Sequence, residues 1–279
     1  MKADTRCFPC LKRLATQAVE LATVDPELRM VVLGEALKIL ERNFSADVVP
    51  TSISDEMHAK IKELTKSVDP YQEVKKREME ITKELSEQVR QKYGDDLRSC
   101  VEYAVIGNTL DFFRDFEEVR KDAQRRPKFA IDDIDKLKER LKHAGHILYL
   151  ADNAGECYFD LPLLEKLRDF ADVLYVVKGA PIQNDITLED LGRSGIQTEV
   201  GRVITTGAAT VGINLCKCSP KFRAKFDRAD LIVAKGMGHY ETLSELPERG
   251  RVFYLLMAKC YPVARSLGIL EGEYAAMLR

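Results

Sequence analysis

The sequence predicts an α/β protein: a three-layer α/β/α arrangement with a mostly parallel sheet, plus an N-terminal all-helical domain. Three observations carry the prediction. As far as about Arg126, apolar residues recur at helical spacing. From about Ile131, short β-prone runs alternate with helical patterns, the order expected of parallel strands covered on both faces. The polar residues able to do chemistry fall just after those strands, at the edge where such sheets bind ligands. The expected division is a helical domain over 1–128 that caps or flanks the site, and an α/β domain over 129–279 that holds it.

In the first part, Leu11, Leu14, Ala18, Leu21 and Ala22 repeat as one helical face. Pro26 suits the start of the next helix, whose apolar positions are Leu28, Val31, Leu33, Leu37 and Leu40. Val48–Ser54 holds a Pro-Thr-Ser turn, and Asp55–Val68 is amphipathic again. Pro70 opens a charge-rich helix to about Tyr93, with Lys/Glu pairs three and four apart that mark a solvated face. Leu97–Phe116 is apolar enough for a buried helix. In the second part, helices are expected over Ile131–His143, Phe159–Phe170, Leu188–Gly195, Pro220–Arg228, Tyr240–Leu246 and Tyr261–Leu267. Strands are expected over Ile147–Leu150, Val173–Val177, Glu199–Ile204, Leu231–Ala234 and Val252–Met257.

The bulk composition narrows the function. A chain of 279 residues, 45% hydrophobic and 32% charged, is large enough for a real core and suits a water-soluble fold. A formal net charge of −2 gives no electrostatic case for nucleic-acid binding. No apolar run approaches the roughly 20 residues that cross a bilayer, and MKADTRCFPC lacks a secretory apolar core. A cytoplasmic protein without membrane or nucleic-acid partners is therefore expected. Seven cysteines, an odd number in a chain of this length, argue for reduced thiols. Cys7-Phe8-Pro9-Cys10 is a CxxC, half of a zinc site or a redox pair; packing or helix capping is the preferred reading. Cys216-Lys217-Cys218 has a less usual spacing for structural zinc.

Three strand ends converge on one chemistry. The first strand ends in Asp152-Asn153, the second leads to Lys178-Gly179 and Asn184-Asp185, and Leu231–Ala234 leads to Lys235-Gly236-Met237-Gly238-His239-Tyr240-Glu241. Asp152, Asn153 and Asp185 are hard oxygen donors that suit Mg²⁺ or Mn²⁺ and leave positions for phosphate oxygens and water. Lys178 and Lys235 add positive charge, while Gly236 and Gly238 let backbone amides approach an anion. Each piece alone has a plain structural reading. An Asx pair after a strand is commonly a turn or a cap, and a Lys-Gly is an ordinary solvated turn. His239 has no second His or Cys at ligand spacing, so it is not read as a zinc ligand. Glu156 is either an acid placed in a helix's first turn or a second-sphere ligand or general base.

Taken together, DNAGE, KGAPIQNDIT and DLIVAKGMGHYET resemble the motifs of the damage-control phosphatases, the group first catalogued as domain of unknown function 89. CFPCL, AVIGNTLDF (Ala104–Phe112) and MAKCYPVARSLGI extend the resemblance over essentially the whole chain, and the CxxC resembles a branch found in archaea and other microbes. The resemblance implies a metal-dependent phosphatase acting on small phosphorylated metabolites, with a divalent cation (Mg, Mn, Co or Ni) on Asp152, Asn153 and Asp185. It implies that Lys235 meets the phosphate, and it matches Asn108 and Asp111 to a GNxxD-like segment over the site. One departure is His239, where the family usually has Asn in KGMGN; a His there is expected to change charge near neutrality.

Other classes remain open from the residues alone. A metal–phosphate binder without turnover would need the same ligands, and Asp152 as a covalent nucleophile is disfavoured by the lack of a DxDx pattern. A carboxyl methyltransferase, also proposed within the family, lacks a GxGxG-type loop here. A redox or zinc protein would rest on Cys7 and Cys10. Substrate identity and oligomeric state are not legible.

Overall fold

The computed structural model of the chain describes residues 1–109, 121, 123, 125–247 and 250–279. The first three helices are α1 (Cys7–Ala22), α2 (Pro26–Asn43) and α3 (Pro50–Thr65). Asp25 caps α2, its carboxylate accepting the Glu27 and Leu28 amides, and Pro26 fits the first turn. The buried stripe of α2 is Val32, Ala36, Ile39 and Leu40, rotated from the expected Leu28-Val31-Leu33 face; Val31 stands in solvent. α3 starts at Pro50, ahead of the expected Asp55, so the Pro-Thr-Ser segment is its first turn. These three helices close on a core of their own.

α4 (Gln72–Arg90) and α5 (Leu97–Gly107) behave differently. Met79 of α4 and Cys100, Val101, Ala104 and Val105 of α5 enter the core that covers one face of the sheet. The hydrophobic cores thus divide before the expected 1–128 boundary. The expected continuation of α5 towards Phe116, with Asp111, lies outside the described residues.

The second part runs β1 (Phe129–Asp132), α6 (Ile134–Leu141), β2 (His146–Leu150), a 3₁₀ turn (Ala154–Glu156), α7 (Cys157–Arg168), β3 (Asp172–Val177) and α8 (Leu188–Ser194). It continues with β4 (Val203–Thr205), α9 (Pro220–Arg228), β5 (Leu231–Lys235), α10 (Gly236–Leu243), β6 (Val252–Met257), α11 (Tyr261–Leu267) and β7 (Tyr274–Leu278). Among the described residues the strands form one sheet in the order β1-β7-β6-β5-β2-β3-β4. Every pairing is parallel except β6–β7. Two strands differ from expectation. β1 occupies the start of what reads as a helix from Ile131; the helix begins at Ile134, whose amide is taken by Asp132 Oδ1. β7 has the sequence YAAML, with two alanines where β-branched residues would give the signal.

Side chains alternate across the sheet as the pleat requires. Ile147, Tyr149, Val173, Tyr175, Leu231 and Val233 face α5, α6 and α7. Leu148, Leu150, Leu174, Val176, Ile232 and Ala234 face α9, α10 and α11. β2 is flanked by β3 and β5, so the chain leaves it first to one side and later to the other. A ligand crevice is expected between the carboxyl ends of β2 and β5, where the strand order reverses. Among the described residues no helix is long and apolar enough to cross a membrane.

The helical part is tied to the loops over that crevice. Gln183 Nε2 donates to Ser54 Oγ (2.8 Å), Val211 N–H to Asp55 Oδ1 (2.8 Å) and Lys62 Nζ to the Pro181 carbonyl (2.8 Å). Buried Lys75 bridges Asp69 (2.6 Å) and Asp190 (2.7 Å), joining α4 to α8.

Candidate active site

β2 delivers Asp152 to the crevice. Ala151 N–H still follows the ladder, donating to Val176 O (3.0 Å), and the next residues turn towards the loop after β3. Ile186 N–H donates to Asp152 O (2.9 Å) and Ala154 N–H to Asn184 O (2.8 Å), which sets Asn153 opposite Asp185 in an isolated antiparallel bridge. β5 ends beside this turn. Gly236 has φ +78°, and a Cβ there would stand 1.8 Å from Asp152 Oδ2. The glycine is required twice over, by its left-handed backbone and by the carboxylate that fills the space of a side chain.

A cavity of about 260 Å³ opens here, of a size for a small metabolite. Its inner end holds Asp152, Asn153, Asp185 and Asn108; Gly238, Glu241 and Lys259 continue the wall. Arg6, Cys7, Cys10 and Arg13, at or near the start of α1, and Ser54 of α3 cover it from the helical side. A larger depression of about 610 Å³ includes Arg251 and Val252, where β6 begins. It lies away from the strands' carboxyl ends and lacks this group of acids.

Beneath the cavity a buried charge network fixes the side chains at its inner end. Lys235 Nζ donates to Glu156 Oε2 (2.8 Å) and Asp160 Oδ1 (2.7 Å), with all three side chains fully buried. Tyr149 and Tyr175 donate to the two oxygens of Asp160 (2.6 and 3.0 Å). Glu156 Oε1 accepts from Asn108 Nδ2 (3.0 Å) and Asn153 Nδ2 (2.9 Å). Because Glu156 takes the amide nitrogen of Asn153, that residue's Oδ1 is left as the atom available to a ligand. Asn108 is anchored from the other side, its Oδ1 accepting Met257 N–H (2.9 Å).

The charges are unequal. Burial pushes the Asp152 carboxyl well up, and Glu156 and Asp185 push the same way. Burial also works to raise Glu156, but Lys235, Lys259 and the bonds from Lys235 and Asn108 carry it below the usual range. Burial works to lower Lys235, and the two carboxylates outweigh it, so its amine stays protonated. Among the described residues Asp152 Oδ2 receives only long contacts, from Asn108 (3.3 Å) and Asn153 (3.5 Å). Lys178 Nζ forms an ion pair with Asp185 Oδ2 at 3.2 Å, and burial still pushes the Asp185 carboxyl up against it.

The structure brings Asp152, Asn153, Asp185, Asn108 and Gly238 to the cavity and places several other expected phosphate contacts elsewhere. Lys235 points away from the cavity into the Glu156–Asp160 pair, because burial of those acids demands a cation. Lys178 is buried on Gly212 O (2.7 Å), Asp185 and His239 Nε2 (3.3 Å). His239 donates from Nδ1 to Lys235 O (2.6 Å), so its Nε2 accepts from Lys178. Burial and Lys178 hold its pKa well below the ordinary range; the expected charge change near neutrality does not occur. Gly236 makes room for Asp152. Cys7 is buried and Cys10 exposed, and burial pushes the Cys7 thiol up. Among the described residues no group of three His, Cys, Asp or Glu side chains is arranged to hold a metal ion. Asp111 lies outside the described residues.

Sequence reasoning assigned no role to Lys259, Glu241 or Asp160, although Glu241 stood in the polar run after Leu231–Ala234. Lys259 follows strand β6, so the strand-end rule that selected Asp152 also points to it. Asp160 stands four residues after Glu156, on the same helical face. Glu241 stands three residues after Gly238 and carries the same periodic signal.

Comparison with known proteins agrees with this architecture. Residues 3–274 match the damage-control phosphatase ARMT1-like domain. A damage-control phosphatase of Pyrococcus horikoshii is 36% identical over 283 residues, covering 99% of this chain and 98% of the relative. A damage-control phosphatase of Archaeoglobus fulgidus is 32% identical over 291 residues, covering 99% of each. The crystal structure of a domain-of-unknown-function-89 family protein from P. horikoshii superposes with a TM-score of 0.90, at 36% identity over 100% of this chain and 99% of that one. With matches that span nearly its whole length, the chain belongs to the damage-control phosphatase ARMT1-like domain family.

Proposed function

We propose that the protein is a metal-dependent phosphomonoesterase for small phosphorylated metabolites. The observation that carries this is Asp152, set beside Asp185 and Asn153 at the switch point of the sheet with only long amide contacts to its Oδ2 among the described residues. Carboxylates crowded together away from water are costly unless cations meet them. Lys178 pairs with Asp185, whereas Asp152, crowded by Glu156 and Asp185, has no ion pair among the described residues; Asn153 Oδ1 is a further hard donor. The set fits Mg²⁺ or Mn²⁺, with Co²⁺ and Ni²⁺ as other candidates. A divalent ion held there supplies charge to phosphoryl oxygens and makes a bound water more acidic.

The remaining contributions come from the chain itself. Lys259 in the cavity wall and the amides that open α10 face the same space and suit phosphoryl oxygens. Lys178 positions Asp185, and His239 positions Lys178. Glu156, held ionised by Lys235, orients the Asn153 amide; its role is to position rather than to take a proton. The helices α1–α3 serve as the cap that limits the cavity to small substrates, a narrower unit than 1–128.

Replacing Asp152 by Ala tests the assignment. Phosphate release from p-nitrophenyl phosphate and hexose phosphates with Mn²⁺ should fall on the order of 10²–10³-fold. Mn²⁺ binding by calorimetry should weaken, with the circular dichroism spectrum retained. Undiminished activity in the variant overturns the site.

A further inference from the structure

The charge-rich helix α4 carries a buried polar row. Lys75, Glu78 and Thr82 stand three and four residues apart, on one helical face. All three are buried, while Lys76, Arg77 and Glu80 are exposed. Polar groups out of water need partners, and this row finds them next to the inner end of the cavity. Lys75 is anchored on Asp69 and Asp190. Both carboxylate oxygens of Glu78 accept from Asn184 Nδ2 (3.3 and 3.1 Å). Thr82 donates back to the Glu78 carbonyl (2.7 Å) and packs on the turn after β2. A Cβ at Gly155 in that turn would stand 3.1 Å from Thr82 Oγ1 and 3.4 Å from Glu78 Cβ. One face of α4 thus touches both the turn that carries Asp152 and Asn153 and the loop that carries Asp185.

Asn184 is the joint between them. Glu78 holds its side chain, its carbonyl accepts Ala154 N–H (2.8 Å), and the next residue is Asp185. That bond and the one from Ile186 N–H to Asp152 O (2.9 Å) set Asn153 opposite Asp185. A displaced Asn184 would therefore shift Asp152 and Asn153 against Asp185. On this side the cavity wall is Asn184, and Glu78 stands behind it.

Stability alone does not require this pair, because an apolar pair of the same shape can serve a buried site equally well. What a carboxylate adds is a strong acceptor that fixes the orientation of the amide before it.

We propose that Glu78 is a positioning residue. Acting through Asn184, it fixes the register of the two loops that bring Asp152, Asn153 and Asp185 together, and so sets the cation affinity of the site. The claim about affinity rests on the metal-dependent reading above, whereas the claim about register does not.

Backbone hydrogen exchange of the metal-free protein tests the register. In Glu78→Ala, peptides covering 151–157 and 182–188 should exchange at least about tenfold faster, with those of β3 and β5 unchanged. Mn²⁺ affinity by calorimetry should fall about 10–100-fold. Glu78→Gln, which keeps one acceptor oxygen, should lie between Ala and wild type in both measurements. Asn184→Ala removes the same contact from the other side, so combining it with Glu78→Ala should cost little beyond either single change. If Glu78→Ala does not fold, Glu78→Gln and Asn184→Ala carry the same comparison with wild type. A lower melting temperature with exchange in both loops and Mn²⁺ affinity at wild-type values overturns the proposal, as do fully additive losses in the double variant. If wild type binds no Mn²⁺, the metal-dependent reading fails separately, and exchange in the two loops alone decides the role of Glu78.

Discussion

Asp152 and Gly236 are far apart in sequence and in contact in the fold, and that contact defines the inner end of the cavity. The space a Cβ would need at Gly236 is occupied by Asp152 Oδ2 at 1.8 Å. Gly236→Ala must therefore displace the carboxylate and also adopt φ +78° with a side chain. Mn²⁺ affinity and phosphate release are expected to fall by at least about tenfold, with a stability loss of about 1–3 kcal/mol. Calorimetry and urea unfolding read the two effects separately. The sequence marked Gly236 as a glycine that brings backbone to an anion, whereas its function is to leave room for an acid. Glu156 was equally ambiguous. Helix-start placement and second-sphere placement both suit an acid in DNAGE, and only the Asn108 and Asn153 amides at 3.0 and 2.9 Å separate them.

At the scale of elements, α3 and the loops after β3 and β4 form the joint between cap and sheet. Asp55 of α3 accepts Val211 N–H at 2.8 Å and has Lys217 at 3.8 Å. Burial pushes its pKa from 3.8 up to about 7, against the pull of Val211 and Lys217. A carboxyl raised in this way binds its proton more tightly in the fold than in the unfolded chain. Its contribution is thus largest below pH 3.8 and is lost as pH rises to about 7. Asp55→Asn keeps an acceptor for Val211 and removes the titration. The variant should gain stability over wild type by about 1 kcal/mol or more between pH 5 and pH 8, read from urea midpoints. A constant difference across that range would remove Asp55 from the joint's pH response. The early start of α3 was readable in principle, because Pro50 fits a first helical turn. The weak strand β7 was not, since Ala275 and Ala276 gain their strand conformation from pairing with β6.

For the whole molecule, the acids Asp152, Glu156, Asp160 and Asp185 meet from the turn after β2, α7 and the loop after β3, with Lys235 and Lys178 as buried counter-charges. A site with this excess of negative charge makes the fold sensitive to cations. Mn²⁺ at about 100 times its dissociation constant should stabilise the protein by about 2.7 kcal/mol, a rise in melting temperature of roughly 5 °C. Differential scanning calorimetry with and without Mn²⁺ measures it, and the rise should vanish in Asp152→Ala. A rise that persists in the variant would place the ion elsewhere.

The sequence by itself determined the α/β order and the helical first part, and it singled out Asp152, Asn153 and Asp185 as the candidate trio that the fold sets at one cavity. These follow from local periodicity and from the rule that parallel strands present ligands at their carboxyl ends, both of which are carried by neighbouring residues. Only the tertiary structure decided where the lysines point. Lys235 and Lys178 read as phosphate contacts beside glycines, yet each is drawn inward by acids brought from distant elements. A buried carboxylate needs a counter-charge that no local pattern announces. The same holds for Lys259 and Glu241, which become cavity residues when β6 and α10 are laid beside β2, and for the core of α1–α3, which separates from α4 and α5 only once those two pack on the sheet.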